Sequence, residues 1–455
     1  MRLRTSAGIL LAAGIAACTF SSEVSVRGHQ LLKPLPAGLV NSVNLEEQLQ
    51  KGMVPEVLEF LAGPGGRSVD STRGARVAGR ALLERGDFAA ALPLLERAHG
   101  EEGRLQDQAD SAWAVAQAYY WLGRFEESAR WVRTARAQGL LIPEGWAVFL
   151  ESAGSDPLYG GAPEGARLFV KMEYGRPRIP RLLATVNGRE TDAMVFDTGA
   201  SLSLLTESAA ARMGIERVEG ATAGAVGLHQ TEIPMGFGWA RTVRIGGLTL
   251  EHVPFGILPD GALTFGTSGI PYTFDGVLGV HLLKELDWLV DYEARQVGAV
   301  RLPARARRGS REQNVFFRRM KPMVRASLNQ EPWFLFLLDT GSEPTMLTRR
   351  GVQKARFFKS EATYPMTLEG IGQSRVSWGK LSKVTIGVER YMVRFADIIV
   401  KEEGEGIEDG VLGSSFLGNF DVAIRFSTMT LKLERPADRR LREQAAAEGG
   451  QVSPF

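Results

Sequence analysis

The chain has 455 residues, 44% hydrophobic and 23% charged, and its 54 Lys and Arg against 52 Asp and Glu give a formal net charge of +2. That length exceeds one ordinary core and predicts two or three domains, and the composition excludes a disordered or fibrous chain. A charge this close to neutrality excludes a dedicated nucleic-acid binder, which concentrates Lys and Arg to neutralise phosphates.

In chain order, residues 1–18 read as an export signal. Arg2 and Arg4 give a basic start, and Ala7 to Ala17 form an apolar stretch too short to cross a bilayer as a helix. Ile15-Ala16-Ala17-Cys18 follows and resembles the lipobox of bacterial lipoproteins. The resemblance implies that Cys18, the single cysteine of the sequence, carries lipid and begins a mature protein tethered to a membrane. Lipidation gives an odd cysteine in an exported protein a use without a disulfide; an ordinary signal peptide that ends in Cys is the alternative. Thr19 stands where an Asp marks retention at the inner membrane, which implies an outer-membrane anchor facing the periplasm. No later segment has the apolar length of a transmembrane helix.

Residues 19–70 read as a spacer with one helix around Leu45 to Leu61. Residues 71–150 change to Ala-rich and Leu-rich helices of period 3.6, broken at Gly86-Asp87-Phe88 and Gly123-Arg124-Phe125, which predicts two helical hairpins. In each copy a helix and a Gly-x-Phe turn precede a small residue (Ala91, Ser128) and a later Ala (Ala98, Ala135). This resembles the tetratricopeptide repeat, with a spacing of 37 between Gly86 and Gly123 rather than that family's 34. So short an array packs on a neighbouring domain or on a protein partner, and both a plain helical spacer and a peptide-binding groove remain open.

Beyond a Gly- and Pro-rich loop, short strands form an internal repeat over residues 166–302 and 313–435. Each copy has a first strand (RLFVKMEY, NVFFRRMK), a hairpin turning at Asn187-Gly188 or Asn329-Gln330, and a second strand that runs into Asp-Thr-Gly. Each continues through a Gly-containing loop (AVGLHQ, GIGQSR) and a long apolar strand, and closes on DGVLG and a last strand. The copies are offset by 142 at Asp197 and Asp339, 141 at Ile245 and Ile386, and 134 at Gly276 and Gly410, so they are a duplication with one modest deletion. Residues 303–312 read as a polar, basic linker and 436–455 as a polar tail.

The repeated order of apolar strand, FDTGAS or LDTGSE, flap-like loop and apolar-apolar-Gly resembles the aspartic peptidase clan across residues 167–434. The fold implied is multidomain α+β, with N-terminal tetratricopeptide-like helical hairpins followed by two all-β acid-protease lobes, duplicated retropepsin-like β-barrels. The activity implied is peptide hydrolysis by an aspartic endopeptidase, with Asp197 and Asp339 as its catalytic carboxylates in a site formed within one chain. Two adjacent carboxylates that share a proton supply both the base that activates a water and the acid that protonates the leaving nitrogen. Their apparent pKa values belong to the pair, so neither Asp takes a fixed role. Gly199 and Gly341 allow close backbone approach, and the resemblance has Thr198 and Thr340 hydrogen-bonding across the lobe interface. Ala200 against Ser342 is one difference between the loops. A Ser there can hydrogen-bond its carboxylate and lower its pKa where Ala cannot, which predicts a pH optimum less acidic than that of the gastric enzymes.

No Tyr lies between Gly224 and Arg241, so the loops resemble the paired Gly-rich flaps of retropepsins more than a pepsin flap. Gly227 and Gly372 are the expected flap residues, and Trp239 and Trp378 are candidates for the cleft, with buried packing as the alternative. Ser203, Thr345, Asp275, Asp291 and Asp409 read as turn or cap residues. The five histidines lack metal-ligand spacing, and neither metal nor cofactor is expected. The partner expected is a peptide or protein substrate; the alternative is a silent peptide-binding or adaptor protein of the cell envelope built on the same fold.

Overall fold

The computed structural model describes residues 9–10, 14–15, 22–25 and 39–447, apart from 176, 192–193, 227–231, 268–269, 302–312, 356–360, 367–368, 371–375 and 402–406. The expected lipid-bearing Cys18 and the linker 303–312 lie outside the described residues.

The N-terminal part is helical: α1 (Leu45–Gln50), α2 (Val54–Ala62), α3 (Ser71–Arg85), α4 (Phe88–Glu101), α5 (Leu105–Trp121), α6 (Phe125–Ala137) and α7 (Glu144–Glu151). Asp70 caps α3 by accepting the backbone N–H groups of Thr72 and Arg73, and Gly86 ends it in the left-handed region at φ +84°. The two expected hairpins are α3–α4 and α5–α6. The single helix expected over 45–61 is two, because Gly52 at φ +78° turns the chain between them and Pro55 opens the second.

Helices α3 to α7 share one hydrophobic core with the β-region, while α1 and α2 pack with Val77 and Ala81 of α3 and with Phe316 in a second, smaller one. Trp121 of α5 stacks on Phe317 at 4.7 Å, and Phe149 of α7 on Phe237 at 4.3 Å. Each such aromatic pair contributes about 0.5–1.5 kcal/mol beyond its buried area. His281 is buried among them. Its Nε2 faces the Tyr120 carbonyl at 3.0 Å and so donates, which leaves Nδ1 to accept from the Tyr159 hydroxyl at 2.6 Å in the neutral ring. On the other side Arg318 binds the carbonyls of Leu49 and Gln50 and the carboxylate of Glu84, and Arg325 binds Glu56 at 2.8 Å. The stretch expected to be a spacer is therefore anchored to the second lobe.

The β-region is two lobes of one design joined by a shared sheet. In the first lobe, Met194–Phe196 runs parallel to Gly276–Leu278, which pairs antiparallel with Ser203–Thr206, itself parallel to Leu248–Leu258. In the second lobe the same order recurs with Glu331–Leu338, Gly410–Leu412, Met346–Thr348 and Tyr391–Lys401. Such parallel strands are buried on both faces, which explains their unbroken apolar runs. Both leading hairpins turn where expected, with Asn187, Gly188, Asn329 and Gln330 all at positive φ, as two-residue hairpin turns require. An antiparallel sheet spans the lobes in the order Arg167–Glu173, Gln296–Arg301, Leu286–Asp291, Asp421–Arg425, Thr430–Glu434. The expected polar tail begins instead with a helix, Pro436–Ala447, held to that sheet by Arg439, which pairs with Asp291 and with Asp421.

Each lobe extends a long hairpin arm, Arg217–Val226 with Glu232–Ile245 and Glu361–Met366 with Val376–Val388. Backbone of the N-terminal segment pairs with both: Ile9–Leu10 lies beside Ala225 and Val226, and Gly14–Ile15 beside Glu369 and Gly370.

Candidate active site

Each Asp-Thr-Gly loop is launched by a buried apolar strand and held from behind by the apolar-apolar-Gly segment of its own lobe. The Asp197 N–H donates to Leu278 O at 3.1 Å, and that of Asp339 to Leu412 O at 3.1 Å. Val280 and Ser414 donate their N–H to the carbonyls of Ala200 and Ser342 at 2.7 and 2.8 Å. Ser203 Oγ and Thr345 Oγ1 accept the N–H groups of Gly279 and Gly413, each at 3.1 Å, so both hydroxyls stabilise the loops.

The loops are also tied to each other. Thr198 Oγ1 donates to Leu338 O at 2.6 Å and accepts the Thr340 N–H at 3.2 Å; Thr340 Oγ1 donates to Phe196 O at 2.6 Å and accepts the Thr198 N–H at 3.1 Å. The two glycines complete the arrangement. A Cβ on Gly199 would stand 2.5 Å from Asp339 Cγ, and one on Gly341 would overlap Asp197 Cγ. Each carboxyl group thus rests on the glycine of the opposite loop, which only a residue without a side chain permits.

Both carboxyl groups are buried, Asp197 at 0% and Asp339 at 1% exposure. Burial pushes the Asp197 carboxyl up to about 6, against the pull of its contact with Asp339 and of the Gly199 N–H at 2.7 Å. Burial and the neighbouring Asp197 charge push Asp339 well above the usual carboxylate range. Asp197 Oδ2 and Asp339 Oδ1 find no protein donor among the described residues, while the two groups interact directly. The pair itself is therefore the place to hold a proton, and one protonated and one ionised carboxyl can act as acid and base together.

One expectation about the surroundings is corrected, and a choice left open for Trp239 is decided. Ser342 does not lower its carboxylate's pKa by hydrogen bonding: its hydroxyl donates to Pro344 O at 3.0 Å, because the loop bends that carbonyl back over it. Trp239 belongs to the seam with the helices rather than to the cleft. Its ring stacks on Phe149 at 5.0 Å, and its Nε1–H donates to Ser152 Oγ at 2.9 Å. Trp378 lies in the arm of the second lobe opposite Tyr364 and Lys401, with its side chain outside the described residues, as are Gly227 and Gly372 altogether.

Sequence reasoning missed one charged neighbour of the pair, Lys321, which is 6% exposed and interacts electrostatically with both Asp339 and Asp197. A signal for it exists in the repeat. The 142-residue offset that aligns the two Asp also aligns Lys321 with Ile179.

Residues 182–282 and 324–416 match the aspartyl protease family, and these two segments fall one on each lobe. The match supports an aspartyl protease. No curated protein matches the chain. Among solved structures, an aspartic proteinase from Irpex lacteus is similar at 12% identity with a TM-score of 0.39, covering 60% of this chain and 98% of its own. A retropepsin-like aspartic protease from Rickettsia conorii is similar at 16% identity with a TM-score of 0.20, covering 31% of this chain and 95% of its own.

Proposed function

We propose that the chain is an aspartic endopeptidase in which Asp197 and Asp339 activate a water and protonate the leaving nitrogen of a peptide bond. The observation that carries this reading is the reciprocal seating of each carboxyl group on the other loop's glycine, which holds two buried acids together within one chain. A binder has no use for that arrangement, since two carboxyls forced together out of water cost stability. The substrate binds extended, adding a strand beside the two hairpin arms. Backbone pairing of Ile9–Leu10 with one arm and of Gly14–Ile15 with the other supports this, since each arm has an edge open to such pairing. The protein is exported and anchored through lipid on Cys18, a part of the reading that rests on the sequence pattern.

The test is cleavage of a mixed peptide library across pH by the protein lacking residues 1–18, with and without pepstatin. Asp197→Asn and Asp339→Asn each abolish cleavage on this reading. Cleavage that survives either substitution, or binding of peptides without turnover by the unaltered protein, overturns it. Incorporation of labelled fatty acid by the full chain, lost in Cys18→Ser, checks the anchor.

A further inference from the structure

The two halves of the site share their Asp-Thr-Gly core but differ in charge at the position facing each carboxyl from the neighbouring strand. In the second lobe the strands Lys321–Leu328 and Glu331–Leu338 pair antiparallel, with Met323 opposite Leu337. Two residues further along that register Lys321 lies opposite Asp339. In the first lobe Arg181 pairs with Val195, and the same step puts Ile179 opposite Asp197. Side chains directly opposite on an antiparallel pair share a face and stand about 5 Å apart at Cβ.

Alternation along the strands says which face this is. Phe334, Phe336 and Leu338, with Val324 and Ala326, point into the main core, while Leu337 and Met323 are buried outside it. Lys321 and Asp339 belong to that second face. The register is pinned by the tight turn before it, where Arg318 pairs with Lys321 and both Arg319 and Met320 hold positive φ. Lys321 therefore has no freedom to slip to the other face.

We propose that Lys321 is a positioning residue of the Asp197–Asp339 pair: its ammonium, opposite Asp339 and replaced by Ile179 opposite Asp197, favours the singly ionised pair and extends it to lower pH. The proposal rests on the peptidase reading of the pair. The charged groups that face Lys321 are Asp339, Asp197 and Glu408, which favour its protonated form, and Lys401, which it repels. Lys401 lies opposite Thr348, where the first lobe has Leu258 opposite Thr206, so both amines stand on the Asp339 side. Burial lowers the pKa of the Lys321 ammonium, and the nearby carboxylates offset part of that. Its charge lowers both ionisation steps of the pair, against the larger effect of burial. Without it, burial alone would leave the pair doubly protonated up to a higher pH.

The experiment compares Lys321→Met, Lys321→Gln and Lys321→Arg with the unaltered protein, each checked for folding by its thermal transition. Two readouts are taken against pH: kcat/KM on a cleaved peptide, and the rate at which an epoxide alkylates the pair, since only an ionised carboxylate opens the ring. The expected result is that Met and Gln move both limbs of the kcat/KM profile, and the rise of alkylation, to higher pH by about 1 unit or more. The Arg variant, which keeps the charge, stays with the unaltered protein. Profiles unmoved in the Met and Gln variants overturn the proposal, and so does an equal shift in the Arg variant, which would mark a packing effect. Where no peptide is cleaved at all, the alkylation profile still decides for or against Lys321, and the peptidase reading alone falls.

Discussion

Gly145, in the first turn of α7, lies against Thr222 of the first lobe's arm so closely that a Cβ on it would overlap the Thr222 backbone. The contact is between two backbones, so neither side can yield by rotating a side chain. It places the helical part directly behind the strand Arg217–Val226, and Trp239 of the returning strand is held by Ser152 of the same region. The arm is therefore braced by the helices at its base.

Gly145→Ala tests that brace. The added methyl must push α7 away from the strand, at an overpacking cost of about 1–3 kcal/mol. The expected outcome is a lowered thermal transition together with a fall in kcat/KM, because under the proposed function the displaced arm no longer pairs with an extended substrate. A variant that loses neither would show that the arm moves independently of the helices. The neighbouring substitution Gly139→Ala, at a position with open space but φ +104°, should cost stability without touching the arm.

The duplicated lobes were legible in the sequence because everything that marks them is local. Asp-Thr-Gly, the two-residue hairpin turn beginning with Asn and the apolar-apolar-Gly segment each sit within a few residues and recur at a nearly fixed offset. The helical hairpins were legible for the same reason, from their period and their Gly-x-Phe turns. What stayed hidden depends on which faces meet. Nothing in the run of α5 tells that Tyr120 offers its carbonyl to His281, 161 residues away. Ser342 was expected to serve its carboxylate because it is close in sequence, yet the bend of the loop hands it Pro344 instead. For Trp239 the sequence leaves both cleft and buried packing open, and it is Phe149 of α7, stacked on its ring, that decides for packing. Lys321 becomes a neighbour of Asp339 only once the register of two strands is known, since a shift of one residue would send it to the other face.

Thr198→Val removes a hydroxyl while keeping the shape of the side chain, so its cost reports the hydrogen bonds between the lobes. Leu338 O loses its donor and the Thr340 N–H its acceptor, and both stay buried. Each orphaned group costs about 1–3 kcal/mol. The midpoint of urea unfolding should fall accordingly, whereas Thr198→Ser, which keeps the hydroxyl, should fall far less. Equal losses in the two variants would mean that the methyl contact matters and the exchange of hydrogen bonds does not.

The buried carboxyl pair should also make the fold less stable at neutral pH than in mild acid. Asp197 holds its proton up to about 6 in the folded chain, while the same group in the unfolded chain ionises in the ordinary range near 4. Between those values the folded state binds more protons than the unfolded one. Stability from this group is therefore fully present below about pH 4 and is lost as pH rises through about 6. Asp197→Asn keeps the shape of the side chain and has no proton to lose. It should unfold at a higher urea concentration than the unaltered protein at pH 7.5, by the equivalent of about 1–3 kcal/mol, with the gap closing near pH 4. A gap that does not change with pH would mean that the Asp197 carboxyl is not held protonated by its burial, and the acid–base pairing drawn from that burial would have to be abandoned.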